Sequence, residues 1–295
     1  MNLLRITALC LIITSCKAQK LKTNKDDNTL LWEVSGKGMK GQSYLFGTFH
    51  LLCKKDIHFS KQLQDAVKRS DEVYLELDMD DPKTLFGGMA LMNMKNGKQL
   101  SDFYKPEEYK RILSFFQDTL QISLAMFTGM KPSLIETLLY PKLMPCKTIT
   151  GVDEEVMRLA KEDKKKINGL ETIEFQASVF DSIPYEEQAK DLLKTIDSID
   201  AYKQNFDSLM DVYKSQQISE IEKSFNKSEF GMEDNQDLLL NNRNSNWVKQ
   251  LKQIMKEKRV FVAVGAGHLV GPKGLIALLR KEGYTVRPLE NLKQE

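Results

Sequence analysis

Ser43-Tyr-Leu-Phe-Gly47-Thr-Phe-His50-Leu-Leu52 and Val260-Phe-Val-Ala-Val-Gly265-Ala-Gly-His268-Leu-Val270 carry one small pattern twice, an apolar strand followed by Gly-x-x-His. The chain has three histidines, and two of them stand in this context, 218 positions apart (268 − 50). In open α/β sheets, ligands and chemistry gather at the carboxyl ends of buried strands. A glycine three residues before the histidine lets the backbone turn sharply or approach another group closely. The two elements can meet only if the fold brings both ends of the chain onto one sheet, and that expectation decides the fold.

Around the first element, Leu30 to Ser35 and Ser43 to Gly47 read as two strands joined by the glycine-rich turn Gly36-Lys-Gly38-Met-Lys-Gly41. Phe59 to Arg69 has Leu63, Ala66 and Val67 at helical spacing, with Ser60 placed to cap it. Glu72 to Asp78 reads as a strand, completing a βαβ unit whose crossover should be right-handed. Pro82 to Asn93 reads as a helix or a mobile flap, and helices are expected over 105–119, 131–140, 184–213, 218–225 and 233–256. Between them, Thr148 to Asp153 and Lys165 to Asn168 read as short strands, the first leading into a helix over 154–162. Around the second element, a strand over 259–264, a helix over 274–282 and a strand over 284–287 return the chain to α/β character. The fold class is therefore α/β, one mixed central sheet with a large helical insertion.

The first residues stand apart from this fold. Met1 to Ser15 has one basic residue, Arg5, and a short apolar run, which reads as a signal peptide. Ile13-Thr-Ser-Cys16 resembles a bacterial lipobox, making Cys16 the expected lipidated N-terminus; an ordinary secretory signal is the alternative. Residues 16–29 read as a polar tether and 30–295 as a single domain. The expected location is the bacterial cell envelope, lipid-anchored, facing the periplasm or the surface. Net charge is +2, from 43 basic and 41 acidic residues, and no basic stripe interleaved with aromatics appears, so nucleic acid is not an expected partner. With Cys10 in the signal and Cys16 lipidated, Cys53 and Cys146 remain, either as a disulfide or as two free buried thiols.

The chemistry-bearing residues are few. Alternation along the strand over 72–78 places Tyr74, Glu76 and Asp78 on one face, and a carboxylate inside an apolar strand is costly unless paired or bound. Glu76 with His50 and His268 makes a His, His, carboxylate set, a common ligand group for Mn²⁺, Co²⁺ or Zn²⁺. The alternative is that both histidines are core residues bonded to backbone. Glu171, in Gly169-Leu-Glu171-Thr, is a candidate general base or a helix-capping carboxylate. Arg243, ahead of Asn244 and Trp247 on an expected helix, is a candidate partner for a substrate carboxylate or oxyanion, or a structural partner of Glu76 or Asp153. Gly265-Ala-Gly267-His-Leu-Val-Gly271 lacks the spacing and the following chain of a dinucleotide fingerprint. Serine-hydrolase, zincin and P-loop signatures are absent.

Together, Leu45-Phe-Gly47-Thr-Phe-His50, Leu75-Glu76-Leu77-Asp78, Gly151-Val-Asp153, Gly169-Leu-Glu171-Thr with Gln176, Arg243-Asn244 with Trp247, and Val264-Gly265-Ala-Gly267-His268-Leu-Val-Gly271 resemble the TraB/PrgY/GumN family, specifically its GumN-like bacterial branch, related to the Tiki proteins. The resemblance implies an α/β core of two related halves, like erythromycin esterase. It also implies metal-dependent protease activity at the positions of His50, Glu76 and His268. The expected function is an exported lipoprotein hydrolase acting on peptides or similar amide or ester substrates. A non-catalytic protein that sequesters a peptide signal and an envelope assembly factor are the alternatives.

Overall fold

The computed structural model describes residues 27–225 and 235–291. The expected signal peptide, Cys16 and residues 16–26 of the tether lie outside the described residues. Within the described residues the strands are β1 (Leu31–Ser35), β2 (Ser43–Thr48), β3 (Leu52–Cys53), β4 (Glu72–Leu75), β5 (Ile149–Thr150), β6 (Lys166–Gly169), β7 (Val260–Gly265) and β8 (Thr285–Pro288). The helices are α1 (Lys61–Arg69), α2 (Pro82–Leu91), α3 (Pro106–Ser114), α4 (Pro132–Glu136), α5 (Tyr140–Leu143), α6 (Val152–Glu162), α7 (Ile173–Asp181), α8 (Tyr185–Asp197), α9 (Ile199–Lys214), α10 (Ile218–Phe225), α11 (Asn242–Glu257) and α12 (Leu275–Lys281).

Six strands form the central sheet in the order β6-β4-β7-β2-β1-β8. The pairs β6/β4, β4/β7 and β7/β2 are parallel, while β1 runs antiparallel to both β2 and β8. The sheet is thus mixed and mostly parallel. The two Gly-x-x-His strands are direct neighbours, registered Gly47 to Val264 and Thr48 to Gly265. Their near-continuous apolar runs fit this central place, since a strand covered on both faces has no solvent side to keep polar.

Strand alternation divides the core in two. Tyr44, Phe46, Phe261 and Ala263 join α1, α6, α8 and α9 on one face, while Leu45, Val260, Val262 and Val264 meet Trp247, Leu251, Met255, Leu275 and Leu279 of α11 and α12 on the other. The helical insertion lies mainly between β4 and β5 and between β6 and β7. Local rules set its boundaries. Ser60 accepts the Leu63 N–H and caps α1, and Pro106 and Pro132 open α3 and α4 where a missing N–H costs nothing. Lys131, 1% exposed, binds the carbonyls of Leu91 (2.9 Å) and Ala177 (3.0 Å) and the Asp181 carboxylate (2.9 Å), tying α2, α4 and α7 together.

The structure corrects several element readings, among them the helix over 131–140, which divides into α4 and α5. The strand over 72–78 stops at Leu75, because the Gly265 N–H beyond it is taken by the Glu76 carboxylate (2.8 Å) instead of a ladder carbonyl. The helix over 184–213 breaks at Ser198 (φ −124°, ψ 35°), which separates α8 from α9. The helix over 105–119 ends as α3, and Phe115–Thr119 continues it as a π turn. Cys53 and Cys146 are joined as a disulfide, with Cα atoms 6.0 Å apart and a sequence separation of 93. Among the described residues no helix is long and apolar enough to cross a membrane.

Candidate active site

Four parallel strands deliver their carboxyl ends to one edge of the sheet, and each contributes a polar side chain there. β2 leads to His50, β4 to Glu76, β6 to Glu171 and β7 through a short 3-10 turn (Ala266–His268) to His268. Gly265 lies at the meeting point. A Cβ at this residue would stand 3.2 Å from Glu76 Oε1, 3.7 Å from His268 Cδ2 and 3.9 Å from His50 Nε2. A side chain here would crowd the Glu76 carboxylate, which glycine leaves undisturbed. The Tyr213 hydroxyl donates to the Gly47 carbonyl (3.0 Å), fixing the backbone where β2 turns toward His50.

His268 is 4% exposed, and its ring packs against Trp247 with centroids 4.4 Å apart and planes tilted by 41°. Its tautomer follows from Asn244. The Asn244 amide donates Nδ2 to the Lys273 carbonyl (2.9 Å), so its Oδ1 faces the ring and accepts from His268 Nδ1 (2.6 Å). Nε2 is then the lone-pair nitrogen and accepts from Arg243 Nη1 (3.1 Å). Burial lowers the pKa of this imidazole, Glu76 pulls it upward, and the charges of Arg243 and His50 press it down again, to about 3. The ring is neutral.

Arg243 is 7% exposed and all five of its N–H groups are engaged. Nε and Nη2 donate to Glu171, Nη2 also donates to Glu76 (2.6 Å), and Nη1 donates to the Leu239 carbonyl (2.8 Å) as well as to His268. Leu239 belongs to a π turn, Asp237–Asn241, immediately before α11. Glu171 is equally occupied, accepting from Arg243, Trp247 Nε1 (3.2 Å) and Gln176 Nε2 (3.1 Å). Burial works to raise the Glu76 pKa, and the charge of Arg243 and the Gly265 N–H oppose it, so that the carboxyl is lowered and ionised. The Arg243 guanidinium also lies over the Trp247 ring at 4.8 Å.

His50 is different, with its side chain 71% exposed. Its Nδ1 lies 3.2 Å from Asp153 Oδ1, a hydrogen bond that raises the imidazole pKa, and its Nε2 lies on the Gly265 side. His58 is exposed and away from the cluster, as its context without a strand or glycine suggests.

The structure therefore brings His50, Glu76, Glu171, Arg243 and His268 to one edge. Glu171 and Arg243 are each other's partners, and Asp153 pairs with His50 instead of Arg243. Asp153, Asn244, Trp247 and Gln176 complete the site. All four stand inside motifs visible in the sequence, but only the fold shows which histidine or carboxylate each one holds.

The two histidines share one arrangement. Each imidazole has Nδ1 held by a side-chain oxygen and Nε2 turned inward, the arrangement that orients ligating histidines. Among the described residues, no group of three or more His, Cys, Asp and Glu side chains is set to hold one ion. The Arg243 guanidinium instead satisfies both Glu76 and His268.

This is an α/β protein with twin Gly-x-x-His turns converging on a largely buried glutamate at the carboxyl edge of a mostly parallel sheet. The chain belongs to the TraB/PrgY/gumN family, whose sequence profile matches residues 30–288. It is 23% identical to Metalloprotease TIKI1 of Danio rerio over 88% of this chain and 63% of that protein, and 22% identical to Metalloprotease TIKI1 of Homo sapiens over 95% of this chain and 68% of that protein. It is also 22% identical to an uncharacterized protein of Treponema pallidum over 85% of this chain and 80% of that protein. The chain thus spans about 63% of the length of the Danio rerio relative.

Proposed function

We propose that this protein is an exported, lipid-anchored hydrolase of the cell envelope that acts on peptides or similar amide or ester bonds. The carrying observation is the convergence of His50 Nε2, Glu76 Oε1 and His268 on Gly265, at the edge where α/β sheets place their chemistry. Similarity to Tiki metalloproteases over most of the chain supports a hydrolase-like family.

His50, Glu76 and His268 would hold a divalent transition metal, Mn²⁺, Co²⁺ or Zn²⁺. Such an ion would supply an activated water and a polarised carbonyl. The other groups prepare that edge. Asn244 and Asp153 keep both Nε2 atoms turned inward. Glu171, fixed by Trp247 and Gln176, holds Arg243, whose charge keeps Glu76 ionised. For these residues to hold a cation, Arg243 would have to release Glu76 and His268 while staying on Glu171, and its freed guanidinium donors would then be available to a substrate oxygen. The engagement of every Arg243 donor favours a second reading, a peptide-binding protein that sequesters its ligand without turnover.

The test is peptide turnover by the purified protein with added Mn²⁺, Co²⁺ or Zn²⁺ and with chelator, together with elemental analysis of bound metal. Turnover and stoichiometric metal that both disappear in His268→Ala support the hydrolase. Peptide binding without turnover supports sequestration. Neither metal, turnover nor peptide binding would end both readings. Fatty-acid labelling that is lost in Cys16→Ser checks the anchor.

A further inference from the structure

Gly151 and the Cys53–Cys146 disulfide are features of the chain that the reading above leaves without a task. They belong to one structural unit. After His50 the chain forms β3, which pairs antiparallel with β5, Leu52 to Thr150 and Cys53 to Ile149. The Lys54 N–H donates to the Thr148 carbonyl (3.0 Å) and the Val152 N–H to the Phe49 carbonyl (2.9 Å), so the segments 49–54 and 148–152 are stitched along their length. The disulfide closes the same arm at Cys53. Gly151 lets the two backbones meet, since a Cβ there would stand 2.9 Å from the His50 carbonyl oxygen. Two residues further on, the first turn of α6 presents Asp153 to His50 Nδ1.

An arm is needed because the pair alone cannot keep this order. With side chains 71% and 32% exposed, the His50–Asp153 contact sits in solvent, where such pairs contribute about 1 kcal/mol or less and side chains swing freely. A two-residue ladder is itself marginal. A covalent bond at its end, joining positions 93 apart, makes the pairing persist.

We propose that the disulfide-closed β3–β5 arm is the positioning device of His50. It carries Asp153 to the imidazole, fixes Nδ1 as the bonded nitrogen and aims Nε2 at the Glu76 edge. Asp153 and the two cysteines act through His50 and touch no reacting atom. The inference rests on His50 working at that edge, but the placement of its ring is measurable without any catalysis.

The experiment uses the full chain with ¹⁵N-labelled histidine, whose three residues are separable by nuclear magnetic resonance, in the wild type and in Asp153→Asn, Asp153→Ala, Gly151→Ala and the double variant Cys53→Ser/Cys146→Ser. In the wild type the His50 ring nitrogens should report one fixed arrangement. In Asp153→Ala, Gly151→Ala and the cysteine pair they should shift to the averaged signature of a free exposed imidazole, with His268 unchanged. Asp153→Asn, which keeps an oxygen acceptor, should preserve most of the order. Where the wild type turns over peptide, kcat should fall roughly 10–100-fold in the disordering variants, the usual cost of losing a partner that orients a working histidine, with KM little changed. His50 signals that stay at their wild-type values in Asp153→Ala, or in a folded cysteine variant, would overturn the proposal. Unchanged wild-type ring order with no turnover of any peptide would leave the arm standing and remove the hydrolase. Circular dichroism identifies any variant that fails to fold, and Asp153→Ala, at a surface position, then decides the outcome.

Discussion

Arg243→Met is the sharpest test of how this site is built. Methionine roughly fills the volume of the arginine stem and removes the guanidinium. Two carboxylates are then left at a dry edge, Glu171 with its side chain 4% exposed and Glu76 at 12%. Neither loses every partner, since Glu171 keeps Trp247 and Gln176 and Glu76 keeps the Gly265 N–H. What disappears is the charge opposing both. Removing one member of a buried ion pair costs about 3–5 kcal/mol, because the other charge stays buried and uncompensated. We expect that loss in urea-induced unfolding followed by tryptophan fluorescence, with Trp247 beside the altered residue reporting directly. Replacing Glu171 as well should recover part of it, so that Arg243→Met/Glu171→Gln is less destabilised than the two single losses summed, by a coupling of about 1–3 kcal/mol. An Arg243→Met protein within about 1 kcal/mol of the wild type would mean that Arg243 is not the electrostatic centre of this edge.

Three further outcomes follow from other parts of the structure. Burial works to raise the Asp181 pKa, but hydrogen bonds from Tyr185, Lys131 and Lys95 outweigh it and the pKa is lowered. A carboxyl lowered on folding contributes stability above its unfolded pKa near 3.9 and loses it as pH falls through the folded value. Acid unfolding should therefore steepen below about pH 4 and flatten in Asp181→Asn, and identical acid profiles for the two proteins would refute this. The Cys53–Cys146 bond spans 93 positions, so chain-entropy arguments assign about 4–5 kcal/mol to it, and thermal unfolding of the reduced chain should show a loss of that order. Limited peroxide treatment should oxidise Met126 (87% exposed) and Met89 (68%) well before Met210 (4%) or Met255 (1%), as read by peptide mass spectrometry.

Much of this architecture could be read along the chain, for identifiable reasons. Strands that run apolar into glycine have few alternatives, so β2, β7 and the hairpin of β1 and β2 stand where the pattern puts them. The adjacency of β2 and β7, the step on which the site depends, followed from one repeated motif. Local periodicity said less about endings. β4 stops at Leu75 because a side chain takes over the hydrogen bond that a longer strand would have made. The break at Ser198 lies inside a run whose apolar spacing continues on both sides, Leu192 and Ile196 before it and Tyr202 and Phe206 after it, so amphipathicity alone reads it as one helix.

Pairings among charged residues were hidden for a different reason. Arg243 is separated from Glu171 by 72 positions and from Glu76 by 167, and nothing local distinguishes those partners from Asp153. Asn244 and Asp153 act on imidazoles that reach them only through the folded sheet, so their roles appear only with coordinates.

The central neighbours β2 and β7 have one more consequence, which concerns time. β2 ends at Thr48 and β7 begins at Val260, 212 positions later (260 − 48). At about 5–20 residues per second, a ribosome needs roughly 10–40 s to add that length. Throughout this interval the emerging chain has one histidine turn and lacks the strand that carries the other. The two-histidine edge therefore comes into being only after Val260 to His268 has been made, and no shorter growing fragment can possess it.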